Sequence, residues 1–222
     1  MKLKHLRIII DFTLIIILVL LMCQRNMSVI IHEYMGIGMF ILLFGHNILN
    51  YKWYKNLFKG KYSKLRILYM VIDSIIILFT ILAFISSMMV SGVIFKGAFQ
   101  NKALGRSLHL FTTAWLFVLM CFHLGLHLES LVMKKYKRYK ANKVIMNIAY
   151  SLLILNIMTS IYVMIVKRKF YEELFLITSF KNYYKNLFIV DILEIFSMLL
   201  LFIIIIIGIF TRAFILRERS KF

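Results

Sequence analysis

Six apolar runs divide this chain, at about 6–23, 29–51, 67–94, 107–133, 144–166 and 187–210, and no proline interrupts any of them. Each is near or above the roughly 20 residues a helix needs to cross a hydrocarbon core about 30 Å thick. A bilayer offers no water to backbone N–H and C=O groups. Runs without an alternating strand pattern therefore have to bond internally, as helices. The expected fold is all-α, a polytopic membrane bundle of about six transmembrane helices. Composition agrees: 62% of residues are hydrophobic and the mean hydropathy is +0.87, well above soluble domains.

The formal charge of +19 would suit a nucleic-acid binder, but its distribution does not. Basic residues fall in short clusters between the apolar runs, as membrane topology requires. The N-terminus carries Lys2, Lys4 and Arg7. The second connection carries Lys52, Lys55, Lys59, Lys61, Lys64 and Arg66. The fourth carries Lys134, Lys135, Lys137, Arg138, Lys140 and Lys143, and the C-terminus carries Arg212, Arg217, Arg219 and Lys221. The first connection has only Arg25, and the third has Lys96, Lys102 and Arg106. The positive-inside rule then places both termini in the cytoplasm, with no nucleic-acid partner and the lipid bilayer as surroundings. The fifth connection, 167–186, mixes five basic residues and Glu172 and Glu173 with Phe170, Tyr171, Phe175, Phe180, Tyr183 and Tyr184. It is expected to lie along the outer interface.

Residues 1–23 have the basic start and apolar run of a signal peptide, but no small-residue cleavage site follows, and Met22 occupies the place where a lipoprotein site wants a small residue. They read as a retained first helix. Cys23 and Cys121 give neither a disulfide framework nor a metal pattern, and Cys121 reads as packing. No C-x-x-C-H is present, so any haem is held by coordination alone.

Two runs carry a second pattern. His32 and His46 are fourteen residues apart in one, and His109 and His123 are fourteen apart in the other, where His127 follows. The two stretches also align Phe40 with Phe117 and Leu42 with Leu119. Fourteen residues is about 21 Å of rise, and at the effective period of about 3.5 in a left-handed bundle it returns a side chain to the same seam. The topology runs both helices from outside to inside. His32 then meets His109 in an outer layer, and His46 meets His123 in an inner one. Two imidazoles per layer suit the axial ligation of a b-type haem, whose porphyrin supplies the other four nitrogens. Zinc or a di-metal centre wants three or four protein ligands.

Buried histidines also serve as interhelical hydrogen-bond donors. Four at matched spacing and depth, in two of six helices, fit ligation better. His123 repeats the His32/His46 interval and is the preferred inner ligand. His127, eighteen residues after His109, drifts off the supercoil seam by about 50° and is a candidate for a haem propionate, a quinone or a proton path. Gly36, Gly38 and Gly45 read either as room for a porphyrin or as helix contacts. Asp11, Asp73, Asp191 and Glu194 read as interfacial or capping. Trp53 reads as an aromatic-belt anchor and Trp115 as a residue that can pack on a haem. His5, in the basic N-terminal stretch, reads as solvated.

The stretch H-E-Y-M-G-I-G-M-F-I-L-L-F-G-H-N-I-L-N-Y-K-W from His32 to Trp53, with F-H-L-G-L-H from Phe122 to His127, resembles the flavinylation-associated cytochrome family. The resembling features are an H-E-x-x-G helix, a second histidine followed by an N-x-K-W turn (Asn50, Lys52, Trp53), and the histidine-rich end of a later helix. The resemblance covers roughly residues 1–135, a four-helix haem-binding bundle, and leaves 136–222 as two further transmembrane helices. It implies a b-type cytochrome of a bacterial inner membrane, multi-pass, with two haems on His32, His46, His109 and His123. It further implies an electron-transfer subunit of a membrane oxidoreductase system, passing electrons to an extracytosolic flavin-bearing protein. A quinone is a candidate donor. The alternative expectation is a non-redox membrane protein that moves a divalent metal through intramembrane histidines; the lack of paired carboxylates along a pore weighs against it.

Overall fold

The computed structural model describes residues 2–60, 62–97, 101–167, 170–176 and 187–219. Most of the fifth connection, including Arg168, Lys169, Phe180, Lys181, Tyr183, Tyr184 and Lys185, therefore lies outside the described residues, as do Lys61 and Lys221. Among the described residues the chain is helical and carries no strand. The order is α1 (Lys2–Met22), a 3-10 turn at Gln24–Asn26, α2 (Val29–Leu49), α3 (Tyr51–Asn56), α4 (Lys64–Val90) and α5 (Lys102–Tyr139). α6 (Lys143–Tyr162) then runs into a π-helical turn at Val163–Lys167, and α7 (Phe170–Leu174) and α8 (Phe188–Arg219) complete the chain.

Among the described residues six helical segments are long and apolar enough to cross a membrane: Leu3–Met22, Val29–Leu49, Lys64–Val90, Lys102–Glu129, Lys143–Lys167 and Phe188–Ile209. Much of their outward surface is large and apolar, including Ile41, Phe44, Leu152 and Met158, all more than half exposed. Water would not leave such a surface uncovered, and lipid does. The chain is a multi-pass membrane protein.

The connections begin the helices where the sequence offers a polar oxygen. Ser28, Ser63, Asn101 and Asn142 each accept a hydrogen bond from the backbone N–H three residues on, at 3.3, 3.2, 3.0 and 3.1 Å, at the starts of α2, α4, α5 and α6. Each thereby satisfies one of the donors that a helix N-terminus leaves open.

α5 is the central helix. Ala114, Phe117 and Cys121 on it are almost fully buried, as are Ile195, Met198 and Ile206 on α8. α5 packs on α4 along one side and on α8 along another, while α1 pairs with α2 and α6 with α8. The largest cluster of buried side chains draws on α1, α2, α5 and α8 together, so α8 closes the same core that the first helices build. Two glycines permit the closest crossings. A Cβ on Gly105 would stand 2.6 Å from Met89 Cβ, and one on Gly125 would stand 3.0 Å from Ile206. α6 is joined to α8 by polar contacts, with Ser160 Oγ and Asn156 Nδ2 both donating to the Ser197 carbonyl at 2.8 and 3.3 Å.

The pairings define two ends. At one lie the start of α1, the end of α2, α3 and the start of α4, held where Arg7 donates to the Leu49 carbonyl at 2.7 Å. This end carries the basic residues of the second connection. At the opposite end lie the 3-10 turn, the start of α2, the end of α4 and α7, tied where Asn26 donates to the buried Asp191 of α8 at 2.5 Å. Lys167 pairs there with Glu194. Asp191 and Glu194 are thus buried partners of polar groups from other elements rather than interfacial residues. The described part of the fifth connection is anchored at Phe170, while Tyr171, Phe175 and Leu176 remain exposed. Phe170 is buried edge-on against Phe117, with ring centres 6.0 Å apart.

Candidate functional site

The two histidine-bearing helices each belong to an antiparallel hairpin, α1–α2 and α4–α5. In the second hairpin the register is visible in three cross-helix contacts. Tyr69 Oη donates to the Leu126 carbonyl at 3.1 Å, Asp73 meets His123 at 2.8 Å, and Ser86 Oγ lies 3.4 Å from His109 Nδ1. The first hairpin matches it, with Asp11 Oδ1 2.8 Å from His46 Nδ1. Folding the hairpins against each other brings the four histidines into two layers.

At the basic end, His46 and His123 line one cavity of about 1160 Å³, together with Asp11, Asp73 and His127. Its depth is apolar, with Leu14, Leu18, Leu43, Ile76, Met120 and Leu199. Its mouth carries Lys52, Trp53, Tyr54, Lys59 and Arg66. Cavities that hold drug- or cofactor-sized ligands run from about 300 to 1,000 Å³, so this one has room for a macrocycle. The geometry suits donation from Nδ1–H to the carboxylate in each pair, and in a neutral ring so bonded Nε2 is the nitrogen with a lone pair. At His46, the Asn50 amide lies 3.4 Å from that Nε2, a long contact. The ring of His127 stands 4.6 Å from that of His123 and 5.3 Å from Tyr69, and no carboxylate bond to it is seen among the described residues.

At the opposite end, His32 and His109 meet directly. Their ring centres are 6.3 Å apart and their planes 86° from parallel. Two metal–nitrogen bonds of about 2 Å, with about 1 Å from each nitrogen to its ring centre, span about 6 Å, so this separation suits two imidazoles on opposite sides of one metal. His32 Nδ1 is buried with no hydrogen-bond partner among the described residues, an unusual state for a buried polar atom. These two histidines do not line the large cavity. Between the layers, Phe40 stacks on Phe84 at 4.2 Å.

Several residues behave otherwise than their sequence context suggests. Asp11 and Asp73 are histidine partners within the spans rather than capping residues. Glu33, next to His32, turns away to hold the end of α4. It accepts from Ser91 Oγ at 2.7 Å and from the backbone N–H of Gly92, Val93 and Ile94 at 2.7, 3.3 and 2.9 Å. Trp115 does not face the histidine cavity. Its indole donates to the Leu174 carbonyl at 2.9 Å and it lines a shallow cleft under α7. The alignment of Phe40 with Phe117 does not carry into space either, because Phe117 packs on Phe170 and Phe202. A Cβ at Gly36, Gly38 or Gly45 would meet nothing within 4 Å, so these glycines leave room beside α2 and are not helix contacts.

Asp11 and Asp73 belong to this candidate site although no motif marks them in the sequence. Their signal was position: an ionisable side chain within a membrane run is costly to bury and calls for a partner. A ligating histidine in turn wants an acceptor for its second nitrogen. Comparison with protein-family models, with curated proteins and with solved structures finds no match for this chain.

Proposed function

We propose that the chain is a membrane b-type cytochrome that carries electrons between the two faces of the bilayer. The observation that carries this reading is the cavity onto which His46 and His123 open from two different hairpins, each ring fixed through Nδ1 by a carboxylate. The residues fit haem in number and kind, with two imidazoles, an apolar chamber and basic and aromatic groups at the mouth. His46 and His123 would hold one haem, and His32 and His109, at their 6.3 Å separation, a second. Haem, when bound, supplies reversible one-electron chemistry at iron. The chain's own residues present imidazole nitrogen, exclude water with Leu14, Leu18, Leu43 and Leu199, and offer Lys52, Lys59 and Arg66 to carboxylate groups at the mouth.

Asp73 ties His123 into this role and leaves His127 beside it, against Tyr69. By the positive-inside rule the basic end faces the cytoplasm, so the layer of His46 and His123 is the inner one and both termini are cytoplasmic. A bacterial inner membrane suits this orientation. A quinol at the inner mouth is a fitting donor, and the outer layer would deliver to an extracytosolic flavin-bearing protein.

Divalent-metal transport has less support. Two carboxylates do line the cavity, but each is engaged at 2.8 Å by a histidine. Among the described residues no three histidine, cysteine or acidic side chains converge as a metal site. Haem content of the purified protein separates the two readings. A cytochrome carries about two haems per chain, and a metal transporter carries none.

A further inference from the structure

The two layers are built differently, and the difference lies in what each histidine does with Nδ1. At the basic end both rings bond a carboxylate at 2.8 Å. At the opposite end His109 has only neutral partners, the Ser86 hydroxyl 3.4 Å from Nδ1 and the Ala83 backbone, and His32 Nδ1 has no hydrogen-bond partner among the described residues. Resting on the cytochrome reading, we propose that Asp11 and Asp73 are positioning residues that fix His46 and His123 as Nδ1–H tautomers and make their layer the lower-potential one of the two.

A carboxylate that accepts from Nδ1–H pushes electron density towards Nε2, which makes the imidazole a stronger donor. Stronger donation, with negative charge nearby, stabilises the ferric state over the ferrous one and lowers the potential. Asp11 and Asp73 stand on the neighbouring helices α1 and α4, so each hairpin brings its own carboxylate to its own histidine. The nearest acidic group to the other layer is Glu33. Its charge is spread over one hydroxyl and three backbone amides and none of it is bonded to an imidazole nitrogen. With haem held by His46 and His123 and by His32 and His109, this order of potentials would favour one-electron transfer from the first layer (ferrous to ferric) to the second (ferric to ferrous), away from the basic end.

The test uses the full chain with Asp11→Asn and Asp73→Asn, which keep an acceptor oxygen and remove the charge. An equilibrium redox titration followed at the b-type absorbance should show two waves. Each substitution should raise the lower midpoint and leave the upper one in place, at unchanged haem content. An unmoved lower midpoint, or a shift in the upper wave alone, would overturn the proposal. Nitrogen-15 chemical shifts of His46 and His123 in haem-free protein give a readout that needs no cofactor. The Nδ1-protonated tautomer is expected in the wild type, and an Nε2-protonated ring at either position would overturn the proposal. If the protein takes up no haem at all, the cytochrome reading fails, while the tautomers still decide whether the aspartates position the rings. Should an Asn variant fail to fold, Asp73→Glu restores the charge and should restore the low midpoint.

Discussion

His32 on α2 and His109 on α5 face each other across the bundle with ring centres 6.3 Å apart and planes nearly perpendicular. They come from separate hairpins, and the contact closes α2 against α5 at the end where Glu33 also ties α2 to the end of α4. His32→Ala removes one imidazole from this layer and leaves His46 and His123 in place. One of two haems should be lost, with the remaining spectrum that of the layer at the basic end. Haem per chain, measured against wild type, checks this.

Glu33 makes the most concentrated polar contact between hairpins. Hydrogen bonds to a charged group contribute about 1.5–3 kcal/mol each where they are well formed, and removing the acceptor deprives the buried Ser91 hydroxyl of its partner while the exposed Gly92 and Val93 amides can turn to water. Glu33→Ala should lower stability by about 2 kcal/mol, and Glu33→Gln by less because one acceptor oxygen remains. Thermal unfolding in detergent reads the order Ala below Gln below wild type. Equal midpoints would show that the clamp contributes nothing.

Gly105 lies where α5 crosses α4 most closely. A Cβ there would meet Met89 Cβ at 2.6 Å and its backbone carbon at 3.2 Å, and backbone cannot swing aside as a flexible side chain can. Gly105→Val therefore forces the two helices apart, at about 1–3 kcal/mol, the usual range for overpacking. Because His109 sits one turn along the same helix, a haem held by His32 and His109, on the cytochrome reading, should loosen before one held by His46 and His123. Gly36→Ala, where added volume meets nothing within 4 Å, is the matched control and should leave the unfolding midpoint in place in haem-free protein.

Ser160 tests the opposite extreme. Its hydroxyl bonds the Ser197 carbonyl at 2.8 Å and the Asn156 carbonyl of its own helix, and Asn156 also reaches Ser197. Interhelical hydrogen bonds in membranes average about 0.6 kcal/mol, because alternative partners exist. Ser160→Ala should cost about that much, well below Glu33→Ala, and leave haem content unchanged. Urea or thermal unfolding of both variants in one detergent ranks them.

The helices were legible because lipid leaves so few options: a proline-free apolar run of spanning length becomes a helix whatever surrounds it. The layering was legible from the interval of fourteen, whose rise of about 21 Å sets the same depth difference in both helices. Asp11 and Asp73 were not. Seen along the chain, each stands near the basic end of its run and resembles a boundary residue. Only the antiparallel register of α4 with α5, and of α1 with α2, turns it towards a histidine. Trp115 and Phe117 went astray for a related reason. A helix as central as α5 has several packed faces, and spacing alone does not say which of them meets α2 and which meets α7 and α8. Glu33, adjacent to His32 in sequence, lies on a different face of α2 and holds the end of α4.

On the cytochrome reading, His46 and His123 hold a haem between two hairpins. The most direct measurement is a dithionite-reduced minus oxidised absorbance spectrum of the purified protein, with haem quantified as the pyridine haemochrome, for wild type, His46→Ala and His123→Ala. A sharp b-type α band is expected in the wild type with about two haems per chain, and the same one haem should be lost in both variants. Protein made with ample haem supply that shows no α band, or variants that keep the full wild-type haem content, would contradict it.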